Sequence, residues 1–152
     1  MTPPTLFTIG YEGAGQPAVL EALRRAGVRG VIDVRELPLS RRAGFSRTPL
    51  SAGLAQAGIA YVHLKALGTP KEGRLANKAG RMAEFWDIVE AQLSTPEAEH
   101  DLARAAALAG EGPACLLCFE ASHETCHRKR VAEMLADRHG FAVTHLSPDP
   151  GF

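Results

Sequence analysis

Short apolar runs bounded by glycine alternate along this chain with stretches whose apolar residues recur every three or four positions. That alternation separates strands from helices. Residues 5–9 are β-rich and end at Gly10, which predicts a first strand. Pro17 then opens a helix at its favoured first position, with Val19, Leu20 and Leu23 on one face and Gly27 as the stop. Residues 30–34 read as a second strand. Thr48 and Pro49 start another helix, whose Leu50, Leu54 and Ala57 face inward before Gly58 ends it, and residues 59–62 read as a third strand. Residues 66–80 hold four glycines or prolines and no sustained apolar period, so they are expected to form a long loop. Helices are expected over 81–93 and 96–109, the second capped by Thr95 and opened by Pro96. The apolar run 114–119 suits the buried centre of a parallel sheet. A helix over 125–139 then ends at Gly140, and residues 141–146 form the last strand.

Strands alternating with helices imply an α/β chain, residues 1–152 forming one domain. The expected architecture is a three-layer α/β/α sandwich around a mostly parallel five-stranded sheet, Rossmann-like or flavodoxin-like. In such folds ligands bind beyond the carboxyl ends of the strands. Four loops are therefore of interest: 10–16, 34–47, 63–80 and 120–126.

Composition narrows the class. Hydrophobic residues at 45% and charged residues at 22% are ordinary for a globular chain, and the longest apolar run, six residues, is far too short to span a membrane. The first residues lack the charged start and apolar core of a secretory signal, and three cysteines are too few for a disulfide scaffold. A reducing, cytoplasmic setting is the expectation. The formal net charge of zero conceals a division: residues 1–82 carry twelve Lys/Arg against five Asp/Glu, and residues 83–152 carry five against twelve. Either acids merely solvate the later helices, or a basic surface faces an anionic ligand.

Loop 34–47 carries the most chemistry. Arg35, Arg41, Arg42 and Arg47 fall within thirteen residues directly after a strand. Their planar forks of donors suit phosphate or carboxylate. In the plainer reading, Arg35 pairs with Asp33 or Glu36 while Arg41 and Arg42 solvate a turn. Phe45 is either a stacking platform for a base or a core anchor, and Ser46 either contacts phosphate or caps a turn.

In loop 120–126, Cys118 and Glu120 share a strand face. With Thr125 as helix cap, Cys126, His127 and Arg128 would fall in a first turn whose positive end favours anions. A thiol there, beside His127 and Arg128, has the surroundings of a nucleophile; otherwise Cys126 is a small buried residue. A phosphatase-type loop needs Arg six positions after its Cys, but those positions hold Ala132 and Glu124. Cys115 and Cys118, three apart on a strand, point to opposite faces and do not form half a zinc site. A metal on His123, Cys126 and His127, with Glu120 nearby, is geometrically open, but no metal site is assigned.

The first loop has glycines in the order G-x-x-G-x-G, with Asp33 18 residues after Gly15, a weak match to a dinucleotide fingerprint that leaves any cofactor unassigned. Tyr11 and Glu12 emerge at the expected crevice, where Glu12 serves either as a base or as a partner that holds arginines. His63, Lys65, Lys71, Arg74, Lys78 and Arg81 belong to the same edge of the sheet.

Thr8 to Glu12, Asp33 to Arg35, Ser40 to Arg42, Gly44 to Ser46, Gly58-Ile59 with Tyr61, His63-Leu64, Leu67-Gly68, Cys118 to Glu120 and Cys126 to Arg128 together resemble the bacterial and archaeal family called domain of unknown function 488. The resemblance covers nearly the whole chain in order. It implies a small stand-alone cytoplasmic domain whose signature residues coincide with the loops above, and it brings no assigned activity.

Three readings follow. The first is an enzyme, a hydrolase or transferase, acting on a phosphate-bearing nucleotide or nucleic acid: Arg35, Arg41, Arg42 and Arg128 hold the anion, and Glu12, Glu120, Cys126 or His127 supplies acid–base or nucleophilic chemistry. The second is a non-catalytic nucleotide- or nucleic-acid-binding module using the same pocket. The third is a partner-dependent interaction protein whose oppositely charged halves mediate assembly. No membrane partner is expected.

Overall fold

Residues 2–149 are described by the structure, a computed structural model; Met1, the first residue of the N-terminal stretch read above, lies outside them. The strands are β1 (Thr5–Gly10), β2 (Gly30–Asp33), β3 (Ala60–His63), β4 (Ala114–Cys118) and β5 (Ala142–Leu146). All pair in parallel, in the order β3-β2-β4-β1-β5. The helices are α1 (Gln16–Arg25), α2 (Arg47–Gln56), α3 (Lys71–Lys78), α4 (Met82–Leu93), α5 (Pro96–Glu111) and α6 (Arg128–His139). No helix among the described residues is long and apolar enough to cross a membrane.

The side-chain alternation of each strand divides the core into two layers. Ile9, Val31, Cys115 and Leu117 face α1 and α2, where they meet Val19, Leu23, Leu50 and Leu54. Leu6, Ile32, Leu116 and Cys118 face α3 to α6, where they meet Phe85, Leu102, Val131 and Leu135. Cys115 and Cys118 thus lie on opposite faces, as their spacing requires. The central strand β4 is apolar throughout and buried throughout, as a strand covered on both faces must be.

Three local expectations need correction, the first being Ala57, which is exposed just past the end of α2 and does not face inward. Residues 66–80 are not a long loop: a 3₁₀ turn at Lys65–Leu67 leads into α3. That helix buries Gly73 and Ala76, while Leu75 is exposed, so it carries no apolar stripe. Gly73 is small because Thr69 and Ile88 pack against its Cα; a Cβ there would lie 2.5 Å from Thr69 Cγ2. The last helix also starts later than expected. Thr125 closes a 3₁₀ turn, His123–Thr125, in which the Ser122 side chain accepts from the Glu124 amide. Cys126 is extended, with φ −120° and ψ 138°, and α6 begins only at Arg128. Cys126 therefore lies before the helix and not in its first turn.

Candidate functional site

The loops that follow β1, β2 and β4, together with α3, surround a cavity of about 940 Å³ at the carboxyl ends of the strands. Smaller cavities of about 320 and 310 Å³ lie elsewhere, one of them at the opposite end of the sheet around Arg29 and Pro113. β1, β2 and β4 are consecutive in the sheet, but β1 and β2 continue into helices on one face while β4 continues into α6 on the other. The chain thus diverges at this edge, the arrangement that opens a crevice in parallel α/β sheets.

The inner wall is held by two buried arginines. Arg35 directs Nε at Asp33 Oδ1 (2.9 Å), Nη2 at Asp33 Oδ2 (2.7 Å), and Nη1 at both the Tyr11 hydroxyl (3.0 Å) and the Phe45 carbonyl (2.7 Å). Tyr61 donates its hydroxyl to Asp33 Oδ2 at 2.6 Å, and the Arg35 backbone amide donates to Oδ1 at 3.1 Å. Burial, and then the hydrogen bond and charge of Asp33, push the Tyr61 hydroxyl well above its ordinary range. The His63 ring reaches the Arg35 carbonyl at 2.6 Å. Arg35 is thus neutralised by its own sheet, the plainer of the two sequence readings. Phe45 is completely buried and lies flat on Tyr11, ring centroids 4.3 Å apart, as a core anchor. Ser46 bonds with Ser40, accepting from its amide and donating to its carbonyl.

Arg128, only 1% exposed, donates to Thr8 Oγ1 (3.1 Å) and to the carbonyls of Glu120 (2.5 Å) and Ala121 (3.3 Å). It fastens the loop after β4 to β1. Gly10 makes the same junction possible: a Cβ there would stand 1.8 Å from the Glu120 carbonyl oxygen. The first glycine of the weak dinucleotide pattern thus has its side-chain space taken by the loop after β4. Glu12 bridges the same loops, accepting from the Ala121 amide at 3.0 Å.

Beneath the cavity lie two thiols and an imidazole. Cys118 Sγ is 3.6 Å and Cys126 Sγ 3.9 Å from His127 Nδ1, and the three donor atoms all lie within 4.8 Å of one another. On its other side the ring places Nε2 2.7 Å from the Val34 carbonyl, which can only accept, so Nε2 carries a proton. Glu120 Oε2 is 3.7 Å from Cys118 Sγ. Burial, then the neighbouring Cys126 sulfur, pushes the Glu120 carboxyl up to about 7. Burial opposes ionisation of Cys126, but hydrogen bonds from Cys118 and His127, and the charges of His127 and Arg128, outweigh it and hold that thiol well below its usual range. Cys118, bonded to Cys126 and buried, is pushed up instead. Cys118, Glu120 and His127 line the cavity; Cys126 is fully enclosed behind them.

The mouth is different in character. Arg41, Arg42, Arg74 and Lys78 line it. Arg74 pairs with Glu36 at 2.6 Å, and Arg42 bonds to the Ala14 carbonyl. Arg41 and Lys78 have no ionic or hydrogen-bonded partner among the described residues. Leu37, Leu39 and Phe119 line the same mouth although each is exposed, Leu39 by 69%. Phe119 also meets the Tyr11 ring edge-on at 5.4 Å.

The structure therefore gathers Tyr11, Glu12, Arg35, Arg41, Arg42, Glu120 and His127 around one cavity. Asp33, Phe45 and Arg128 support it from behind, and Ser46 and His63 brace its loops. His123, considered with Cys126 and His127 as a metal ligand, is elsewhere: its ring stacks on His145 at 3.6 Å and pairs with Glu124. Cys118 takes its place in the cluster. Sequence reasoning had placed Cys118 beside Glu120 but not beside Cys126, and it missed the lining role of Thr69, Asn77 and Phe119. An odd, wholly apolar strand that ends Cys-Phe-Glu at the expected crevice was the available signal for Cys118.

A family model described as "Domain of unknown function DUF488" matches residues 17–135. No curated protein and no solved structure gives a significant match.

Proposed function

The chain belongs to the DUF488 family, and we propose that its cavity binds a phosphate-bearing ligand, a nucleotide or a nucleic-acid end, as a hydrolase or transferase would. One observation carries the reading: unpaired cations and exposed apolar side chains share a single mouth. The side chains of Arg41 and Lys78 lack partners among the described residues, while Leu37, Leu39 and Phe119 are left uncovered beside them. A ligand with an anionic end and a flat apolar end satisfies both, and a phosphate alone would leave the apolar wall wet. Arg41 and Arg42 receive the phosphate. Arg35 and Arg128, whose donors are turned to the protein, keep the walls in place. Glu120, whose carboxyl is pushed up to about 7, lies at the cavity floor as a proton carrier. Three buried free thiols fit a reducing cytoplasm.

The test is equilibrium binding of fluorescent adenine nucleotides and of single- and double-stranded oligonucleotides at two salt concentrations, beside the variant Arg41→Ala/Arg42→Ala. Binding weakens with salt, and the double variant loses roughly 10-fold or more, since charge-assisted hydrogen bonds are worth about 1.5–3 kcal/mol each. No binding at low salt, or equal binding by the variant, rejects the proposal. Binding without any turnover assigns the cavity to a regulatory module.

A further inference from the structure

We propose that Cys118, Cys126 and His127 are the protein ligands of a transition-metal ion of the zinc type, with its fourth position open to the cavity.

The spacing of the three donor atoms is the first argument. Zinc sites hold sulfur at about 2.3 Å and imidazole nitrogen at about 2.0–2.1 Å in a tetrahedron, which separates sulfur from nitrogen by about 3.6 Å. The distances here are 3.6 Å from Cys118 Sγ and 3.9 Å from Cys126 Sγ to His127 Nδ1. Both sulfur–nitrogen separations fall near that value, and all three buried donor atoms lie within 4.8 Å of one another.

The second argument is the imidazole. His127 Nε2 lies 2.7 Å from the Val34 carbonyl and keeps its proton there, which leaves Nδ1, within 3.9 Å of both sulfurs, as the ring atom that would bind a metal once it gives up any proton it holds. A hydrogen bond from the far ring nitrogen to a carbonyl is the outer support that metal-bound histidines use to fix tautomer and orientation.

Charge is the third. Arg128 is buried with only neutral oxygens as hydrogen-bond partners. A divalent ion balances the two thiolate ligands that hold it, so the metal-bound cluster adds no net charge to a buried region that already encloses the Arg128 guanidinium.

Rigidity completes the case. Cys118 ends the central strand, His127 adjoins α6, and the connecting loop is fastened by Arg128 and by the Gly10 contact. Cys118 and His127 line the cavity, as does Glu120, whose Oε2 is 3.7 Å from Cys118 Sγ. The open fourth position thus faces the ligand space with a carboxylate beside it. Three protein ligands with one exchangeable position is the pattern of a reactive site, whereas structural zinc sites are closed by four.

Metal binding is measured without any nucleotide, so it stands or falls apart from the anion-binding reading. The reduced full-length chain is titrated with Co²⁺ alone and then with Zn²⁺. The expected result is one Co²⁺ per chain, with tetrahedral d–d bands and thiolate-to-cobalt charge transfer, both abolished when Zn²⁺ displaces it. Cys118→Ser and Cys126→Ser each weaken binding by more than the roughly 10–100-fold that losing an outer partner brings. Cys115→Ser, on the opposite face of β4, leaves it unchanged. If either variant fails to fold, the wild-type cobalt spectrum still decides. A reduced, folded wild-type chain that gives no thiolate–cobalt charge transfer overturns the proposal, as does binding that survives in both serine variants. A Cys118–Cys126 disulfide forming in a chain that binds no metal overturns it in favour of a redox pair.

Discussion

Asp33→Asn removes a charge from the end of β2 while leaving the side chain's shape unchanged. In the native protein the Asp33 carboxylate is wholly buried and accepts from the Arg35 amide, Nε and Nη2 and from the Tyr61 hydroxyl, at 2.6 to 3.1 Å. An amide at this position turns an NH₂ group toward a donor on one side and leaves the Arg35 cation, itself 6% exposed, without a counter-charge. Solvent screening offers little relief at that depth. Removing one partner of a buried ion pair costs about 3–5 kcal/mol. For a chain of this length that lowers Tm by roughly 6–20 °C, at about 2–4 °C per kcal/mol. Urea unfolding followed by circular dichroism and by the fluorescence of Trp86, the one tryptophan, which packs edge-on against Phe85, measures the change. Coincidence of the two probes licenses a two-state free energy. Asp33→Asn combined with Arg35→Met removes the stranded charge and recovers part of the loss. A single variant within about 1 kcal/mol of wild type, where surface changes usually fall, refutes the argument. So does a double variant no more stable than the single one.

Three further outcomes are expected. Gly10→Ala drives a methyl group into the Glu120 carbonyl and displaces the loop that Arg128 holds; it lowers the urea midpoint by more than Gly27→Ala, and equal midpoints would exclude the close approach as the reason for that glycine. His145 is depressed to about 4, by burial first and then by the charges around it, against about 6.5 when unfolded. The unfolded chain therefore binds the extra proton between those values, so His145 contributes a loss of stability as pH falls from about 6.5 toward 4; His145→Asn flattens that slope in paired denaturation curves at pH 7 and pH 5, and an unchanged slope contradicts the assignment. Thr69 Oγ1 is buried without a hydrogen-bond partner among the described residues. Thr69→Val is accordingly neutral or stabilising by up to about 1 kcal/mol, and a loss of more than that in thermal unfolding would point to a bond the hydroxyl makes.

Strand positions were legible because a glycine or proline stands at or just before the start of each apolar run and because β4 is apolar without interruption. α3 was not, since a helix that turns only Gly73 and Ala76 inward and leaves Leu75 in water has no periodic stripe to read. Thr125 has the residue type of a helix cap, yet the Ser122 hydroxyl takes the Glu124 amide first and diverts the chain into a 3₁₀ turn. The arginines illustrate a deeper limit. Arg35 and Arg41 are six residues apart and identical in type, but one is enclosed by Asp33, Tyr11 and Phe45 and the other is unpartnered at the mouth. Which fate each meets depends on β1 and β3 flanking β2 and β4, and strand order is not encoded in local pattern. The same holds for the Cys118–Cys126–His127 cluster, which a sheet edge and a delayed helix start bring together.

The strand order has a consequence for how the chain is made. β1 is complete at residue 10, yet both of its neighbours, β4 and β5, begin at or beyond residue 114. At about 5–20 residues per second a nascent β1 waits roughly 5–20 seconds before any partner strand exists. Through that interval Leu6, Phe7 and Ile9 have no sheet to enter, a β-prone segment exposed on the ribosome. β2 and β3 can meet early, but β4 must insert between β2 and β1 before the two ends of the sheet belong to one structure. Assembly of the fold is thereby postponed until β4 has been made, and a product truncated before residue 114 leaves β1 with no strand beside it.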